Sequence, residues 1–161
     1  MQLYILRHGD ALSNTSSDAL RPLSPFGEQQ VQCVGVVLKK LNIQFDTILC
    51  SPLLRSQQTA RIVQEKLGAR EVMTTEHLVP TFDHRHIFHL LSQHKWNRVL
   101  LVGHEPHLSS FISLLTSDSR DMRVEMKTSS LALCDASPPI EAGRGILRWL
   151  MNPELSNLLG T

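Results

Sequence analysis

Residues 2–9 read QLYILRHG, and the parsing of this stretch decides the rest of the chain. Leu3–Leu6, with Gln2 before them, form a short apolar run that suits a buried strand. Arg7 and His8 then arrive together, and Gly9 releases the chain into a turn. A first strand that ends on such a pair raises the question of what the pair is for.

Further strand-like runs lie at Asp46–Cys50, Glu71–Thr75, Arg98–Val102, Leu131–Cys134 and Ile146–Leu150, with helix-like stretches between most of them. Ser24 followed by Pro25 predicts a helix start, with Val31, Val34, Leu38 and Leu41 along one face. Ser51–Pro52 predicts a second start, with Ala60, Val63 and Leu67 inward and Gly68 as the stop. A third helix carries Ile87, Leu90 and Leu91. A fourth begins after His104, with Pro106 early and Leu108, Ile112 and Leu115 inward. The alternation predicts an α/β fold with a mainly parallel central sheet and helices on both faces. Region 117–145 is less regular, and its strands are expected to join antiparallel at one edge.

At 161 residues the chain is most economically one domain, 1–161. Hydrophobic content of 42% and charged content of 19% suit a soluble globular protein. Lys+Arg of 16 against Asp+Glu of 15 leaves net charge +1, which argues against nucleic-acid or membrane-surface partners. No apolar run reaches membrane-spanning length and no signal-peptide pattern opens the chain, so a cytoplasmic location is expected. Cys33, Cys50 and Cys134 share no metal-like spacing and read as buried thiols in a reducing compartment.

In open α/β sheets ligands collect at the carboxyl ends of strands, beside helix N-termini. Three polar motifs fall at such places: RHG after the first strand, SPLLRSQQT after the second, and GHEP after a later one. Each has a bland reading: a polar strand end, a capped helix with Arg55 in water, a turn with a capping histidine. Together they place Arg7, His8, Arg55 and His104 on one sheet edge, with no acidic partner among them. Two planar guanidinium forks match phosphoryl oxygens, and a helix N-terminus adds to the anion affinity. No Walker-type glycine loop and no acidic cluster for Mg²⁺ accompanies them, so neither metal nor cofactor is expected. Phosphoryl transfer without a metal needs a protein nucleophile, and histidine qualifies.

RHG, SP-x-x-R-x-x-Q-T and GHEP, in that order, resemble the motifs of the histidine phosphatase (phosphoglycerate mutase-like) superfamily. The resemblance implies that His8 is the phosphorylated nucleophile and that Arg7, Arg55 and His104 bind the phosphoryl oxygens. Asn14 stands where many members carry an asparagine near the phosphate, and Leu23-Ser24 with Gly27 resembles the segment opening the first helix. RHGDA, Asp18–Ser24 and Trp149–Pro153 look like the short bacterial phosphohistidine phosphatase branch, the SixA type. By the same likeness Asp18 and Arg21 are candidate substrate contacts, although a purely structural reading of each stands beside it.

Only 48 residues separate Arg55 from His104, room for a strand and one helix but not for the long lid of many relatives. An open site suits a phosphorylated side chain on another protein, here a phosphotransfer domain or phosphocarrier bearing phosphohistidine. Ester-cleaving relatives usually carry a glutamate after the third strand. In this chain Glu76, His77 and Asp83 are the candidate proton donors there. An alkoxide leaving group demands a good acid, whereas a ring-protonated phosphoimidazole leaves as neutral imidazole, which titrates near about 6.5. The doubt over the acid therefore favours phosphohistidine. The alternatives are a small-molecule or phosphoserine phosphatase with the same site, and a phosphate-binding module without catalysis.

Five of the eight histidines lie between His77 and His94. His86 and His89 share a helix face that His84 does not complete as a metal site, so a partly exposed polar face or a partner contact is expected. His107 is read as a surface residue, and the protein as a monomer.

Overall fold

The computed structural model describes residues 1–13, 17–68 and 71–160. Its strands are β1 (Gln2–Arg7), β2 (Thr47–Cys50), β3 (Val72–Thr74), β4 (Arg98–Gly103), β5 (Leu131–Ala136) and β6 (Gly145–Met151). They form one sheet in the order β3-β2-β4-β1-β5-β6. β1, β2, β3 and β4 pair parallel. β5 runs against β1, and β6 returns against β5, so the antiparallel part stands at one side as expected. The helices are α1 (Pro25–Lys40), α2 (Leu54–Leu67), α3 (His84–Ser92), α4 (His107–Ser117) and α5 (Pro153–Leu159).

The two-residue period of a strand sorts the core into two layers. Leu3, Ile5, Val99 and Leu101 point to one face and pack with Leu91, Leu108, Phe111 and Leu115 of α3 and α4. Tyr4, Leu6, Leu100 and Val102 point to the other and pack with Val31, Val34 and Val63 of α1 and α2. Both faces are thus covered, and near-continuous apolar strands result. Among the described residues, no helix is long and apolar enough to cross a membrane.

Local chemistry explains most boundaries. Ser24 caps α1, its hydroxyl accepting from Gly27 N, and Pro25 takes the first turn. Gly68 ends α2 in the left-handed conformation at φ 62°. The start of α2 differs from expectation. Its helical turn begins at Leu54, because the Ser51 hydroxyl accepts from Leu53 N in a tight turn before the helix rather than capping it. α5 was not expected from periodicity, yet its start is written in Asn152, which accepts from Leu155 N, and in Pro153.

Gly9 and Gly27 explain each other. A Cβ on Gly9 would lie 2.7 Å from the Gly27 carbonyl oxygen, and a Cβ on Gly27 would fall onto the backbone of Asp10. The turn after β1 and the first turn of α1 therefore touch backbone to backbone. Gly27→Ala is expected to destabilise the protein by about 1–3 kcal/mol, since rigid atoms must move. A thermal melt lowered by several degrees would show it, and an unchanged melt would contradict the contact.

Candidate active site

β1 ends at Arg7, but its neighbours keep hold of the chain for one residue more. His8 N donates to Gly103 O of β4 at 3.1 Å, and His8 O accepts from Ser129 N at 3.1 Å. Gly9 N then donates to the Thr59 hydroxyl at 3.2 Å, which itself donates to Arg55 O at 2.7 Å. The threonine of SPLLRSQQT thus ties α2 to the RHG turn, and its Gln58 accepts from Leu23 N at 2.7 Å. Much of the motif is scaffolding that sets where Arg55 and His8 stand.

Arg7, His8, Arg55 and His104 line one cleft of about 290 Å³. His8 is 8% exposed, and its two ring nitrogens have different partners. Nδ1 lies 2.7 Å from Gly9 O, which can only accept, so Nδ1 carries the proton. Nε2 accepts from Arg55 Nε at 3.2 Å, so it is the unprotonated nitrogen, its lone pair engaged by the guanidinium. Burial, with help from the nearby arginines, pushes the His8 pKa down to about 4, against the Gly9 hydrogen bond. The ring is neutral near pH 7, as a nucleophile must be.

Arg55, 5% exposed, stands in the first turn of α2. Besides His8 it donates from Nη1 to Asp18 O at 2.8 Å and from Nη2 to Asp18 Oδ2 at 3.1 Å. Arg7 donates from Nη1 to Met126 O at 2.7 Å, while its buried Nε has no hydrogen-bond partner. His104 is 2% exposed, and its ring centroid is 4.9 Å from that of His8. Its Nε2 meets the Ser56 hydroxyl at 3.1 Å, and its buried Nδ1 has no partner. Burial first, then the neighbouring His8 and Arg55, push its pKa down to about 3. His104 is therefore neutral near pH 7, not the cation that a simple anion clamp would suggest.

The cleft is also less purely cationic than its motifs imply. Asp10 and Glu105 line it, and Asp18 pairs with Arg55. The Asp10 carboxylate accepts from the Ser24 hydroxyl at 2.6 Å, and Glu105 Oε1 accepts from Ser109 N at 3.0 Å. Glu105 sits inside GHEP, next to His104, and only the fold shows that this residue lines the cleft. Asp10 likewise follows RHG directly.

Arg21 lines the cleft, with Nε on Leu12 O at 2.7 Å and Nη1 on Asp18 Oδ1 at 3.1 Å. Asp18 does not line it, and lies behind Arg55 and Arg21 in a short 3-10 turn, Asp18–Leu20. Asn14 lies outside the described residues. Glu76, His77 and Asp83 do not line the cleft. Glu76 is exposed, His77 stacks on His86 at 5.3 Å, and Asp83 caps α3 while paired with Arg85. The turn after β3 carries these side chains away from His8.

The histidine-rich stretch divides. His86 and His89 are exposed as expected, but His84 is buried, and so is His107. These two stack at 4.2 Å, with His84 Nε2 donating to His107 O and His107 Nε2 to Phe82 O. Among the described residues no group of three or more His, Cys, Asp or Glu is placed to hold a metal ion.

Acid sensitivity follows from these rings. Burial holds His8 and His107 near about 4 and His104 near about 3. The unfolded chain takes up these protons below about 6.5, while the native state takes them up only near its lower values. Stability is therefore full above about pH 6.5 and is lost as pH falls toward 4. The melting temperature should drop between pH 7 and pH 4.5, and a flat profile would contradict the burial.

The family model for the histidine phosphatase superfamily (branch 1) matches residues 3–79. A relative, the phosphohistidine phosphatase SixA of Escherichia coli (strain K12), is 28% identical over 160 residues, covering 95% of this chain and 94% of its own. The solved structure of the protein histidine phosphatase SixA complexed with tungstate matches with TM-score 0.88 at 27% identity, over 98% of this chain and 99% of that one. A mutant phosphoserine phosphatase from Entamoeba histolytica, in complex with phosphoserine, shares the fold: TM-score 0.72, 18% identity, 95% and 98% coverage.

Proposed function

This chain belongs to the histidine phosphatase superfamily and is a phosphatase, and from that premise we propose that it dephosphorylates phosphohistidine on a signalling or phosphocarrier protein. The observation that carries this reading is the paired bonding of His8. With Nδ1–H on Gly9 O, Nε2 is the unprotonated nitrogen, and it attacks as Arg55 Nε–H passes from it to a phosphoryl oxygen. Tungstate, a tetrahedral oxyanion like phosphate, is the ligand of the SixA structure that this fold matches.

In the first step His8 Nε2 forms a bond to phosphorus as the substrate P–N bond breaks. The electron pair goes to the departing nitrogen, which leaves as neutral imidazole because its other nitrogen already carries a proton. Gly9 O stabilises the imidazolium of phospho-His8 through Nδ1–H. Arg7 and Arg55 hold the equatorial oxygens, with the unpartnered Nδ1 of His104 as a neutral donor when Ser56 donates to its Nε2. Water then attacks phosphorus, the N–P bond breaks, and inorganic phosphate and neutral His8 are released. No protein acid is needed for the leaving group. The domain 1–161 is read as acting alone, as a cytoplasmic monomer.

A second reading, an ester phosphatase for phosphoserine or a small molecule, is favoured by Glu105, the carboxyl group beside His104 in the cleft. Comparing kcat/KM on a panel of phosphohistidine proteins with that on phosphoserine and a nitrophenyl phosphate separates the two. The proposal expects a preference of about 100-fold or more for a phosphohistidine protein. Equal or better ester turnover, lost in Glu105→Gln, would replace it with the second reading.

A further inference from the structure

Arg55 is held from behind, and the residue holding it does not touch the cleft. A guanidinium is a planar fork, so two anchors on its outer nitrogens fix both its plane and the direction of its Nε–H bond. Both anchors come from Asp18: its carbonyl accepts from Nη1 at 2.8 Å and its Oδ2 from Nη2 at 3.1 Å. Nε–H is thereby aimed at His8 Nε2, 3.2 Å away. The other carboxylate oxygen accepts from Arg21 Nη1 at 3.1 Å, and Arg21 is itself fastened to the carbonyls of Leu12 and Ala11.

Resting on the phosphatase reading above, we propose that Asp18 is a positioning residue, orienting Arg55 on the attacking nitrogen and linking it to Arg21 without contacting the phosphoryl group. Two rival roles are open to an aspartate here. As a substrate contact it would present a carboxylate to a phosphoryl anion, while both its oxygens already serve arginines. As an idle surface ion pair it would resemble many exposed pairs that contribute little. Its own side chain is 64% exposed, but the side chain of its partner Arg55 is only 7% exposed, which sets this pair apart from a solvent-loosened one.

The three roles differ in how they split binding from chemistry. Removing the carboxylate leaves Arg55 only the carbonyl anchor on Nη1, about which it can turn, so the chemical step slows, while the lost negative charge lets the cleft bind anions more tightly. In full-length Asp18→Ala, kcat on phosphoimidazole should fall about tenfold or more. Inorganic phosphate, titrated by calorimetry, should bind severalfold tighter. Asp18→Asn, which keeps one acceptor for Arg55, should show intermediate kcat with the same tightening.

Both variants should melt close to the parent, because the altered side chain is largely exposed. A raised KM with unchanged kcat would overturn the proposal in favour of direct contact. No change in either would reduce Asp18 to an idle pair, and weaker phosphate binding would also overturn it. Parent protein inactive on phosphoimidazole but binding phosphate would count against the phosphohistidine reading, whereas an active parent with an unaffected Asp18→Ala would count against Asp18 alone.

Discussion

His8→Ala is expected to lower turnover by about 10⁴-fold or more, the scale seen when a nucleophile is removed from a covalent mechanism. The other cleft histidine is not placed to substitute for it. His104 is 4.9 Å away between ring centroids and has its Nε2 on Ser56. The loss should come in kcat, with inorganic phosphate still bound, because Arg7 and Arg55 remain. Brief incubation of the parent with labelled substrate should yield a phosphoenzyme that is labile in acid and stable in base, and His8→Ala should yield none. A variant that keeps near-normal turnover would remove His8 as the acceptor. A phosphate-binding parent that neither turns over nor labels would be a binding module instead.

Arg55→Ala is the second large loss, about 10²–10³-fold in kcat/KM. Its guanidinium is buried, meets the attacking nitrogen directly, and has a geometry set by Asp18. Phosphoryl transfer leaves little covalent work to the protein beyond holding charge in place, so losing one arm of the clamp reaches the transition state. Arg55→Lys should recover less than about tenfold, since an ammonium carries the charge without the planar fork. Phosphate affinity should fall in both variants. Full activity in Arg55→Lys would show that charge alone, not the directed Nε–H, is what matters.

Strand and helix positions were legible because burial imposes a period: the runs of β1, β2, β4 and β5 are apolar and buried over most of their length, while β3 and β6 carry a weaker pattern. Ser24-Pro25 and Gly68 marked their boundaries for chemical reasons that survive in the fold. The start of α2 was not legible, since a serine before a proline can cap a helix or brace a turn, and only the path of Leu53 decides between them. Asn152-Pro153 carried a readable helix start that the apolar run before it overshadowed. The convergence of Arg7, His8, Arg55 and His104 on one cleft was readable, because parallel strands deliver their C-terminal ends to one edge.

What sequence alone could not supply were the relations that depend on side-chain direction. Glu76, His77 and Asp83 are close in order to the expected place of an acid, but a short turn after β3 turns them elsewhere. Glu105 stands in plain view in GHEP as a glutamate that bonds the first turn of α4 at Ser109 N, yet only the fold shows that it also stands on the cleft wall. His84 and His107 are 23 residues apart in sequence and stack in the core, where burial rather than spacing sets their chemistry.

The sequence by itself determined the strand–helix alternation, the layered sheet and the identity of the polar strand ends, since these follow from local periodicity and the handed, short connections of parallel strands. The tertiary structure alone decided which nitrogen of His8 is unprotonated, that His104 is neutral, and that Asp18 holds Arg55. Those facts depend on hydrogen-bond partners and desolvation brought together from distant parts of the chain, and no residue carries them before the fold forms.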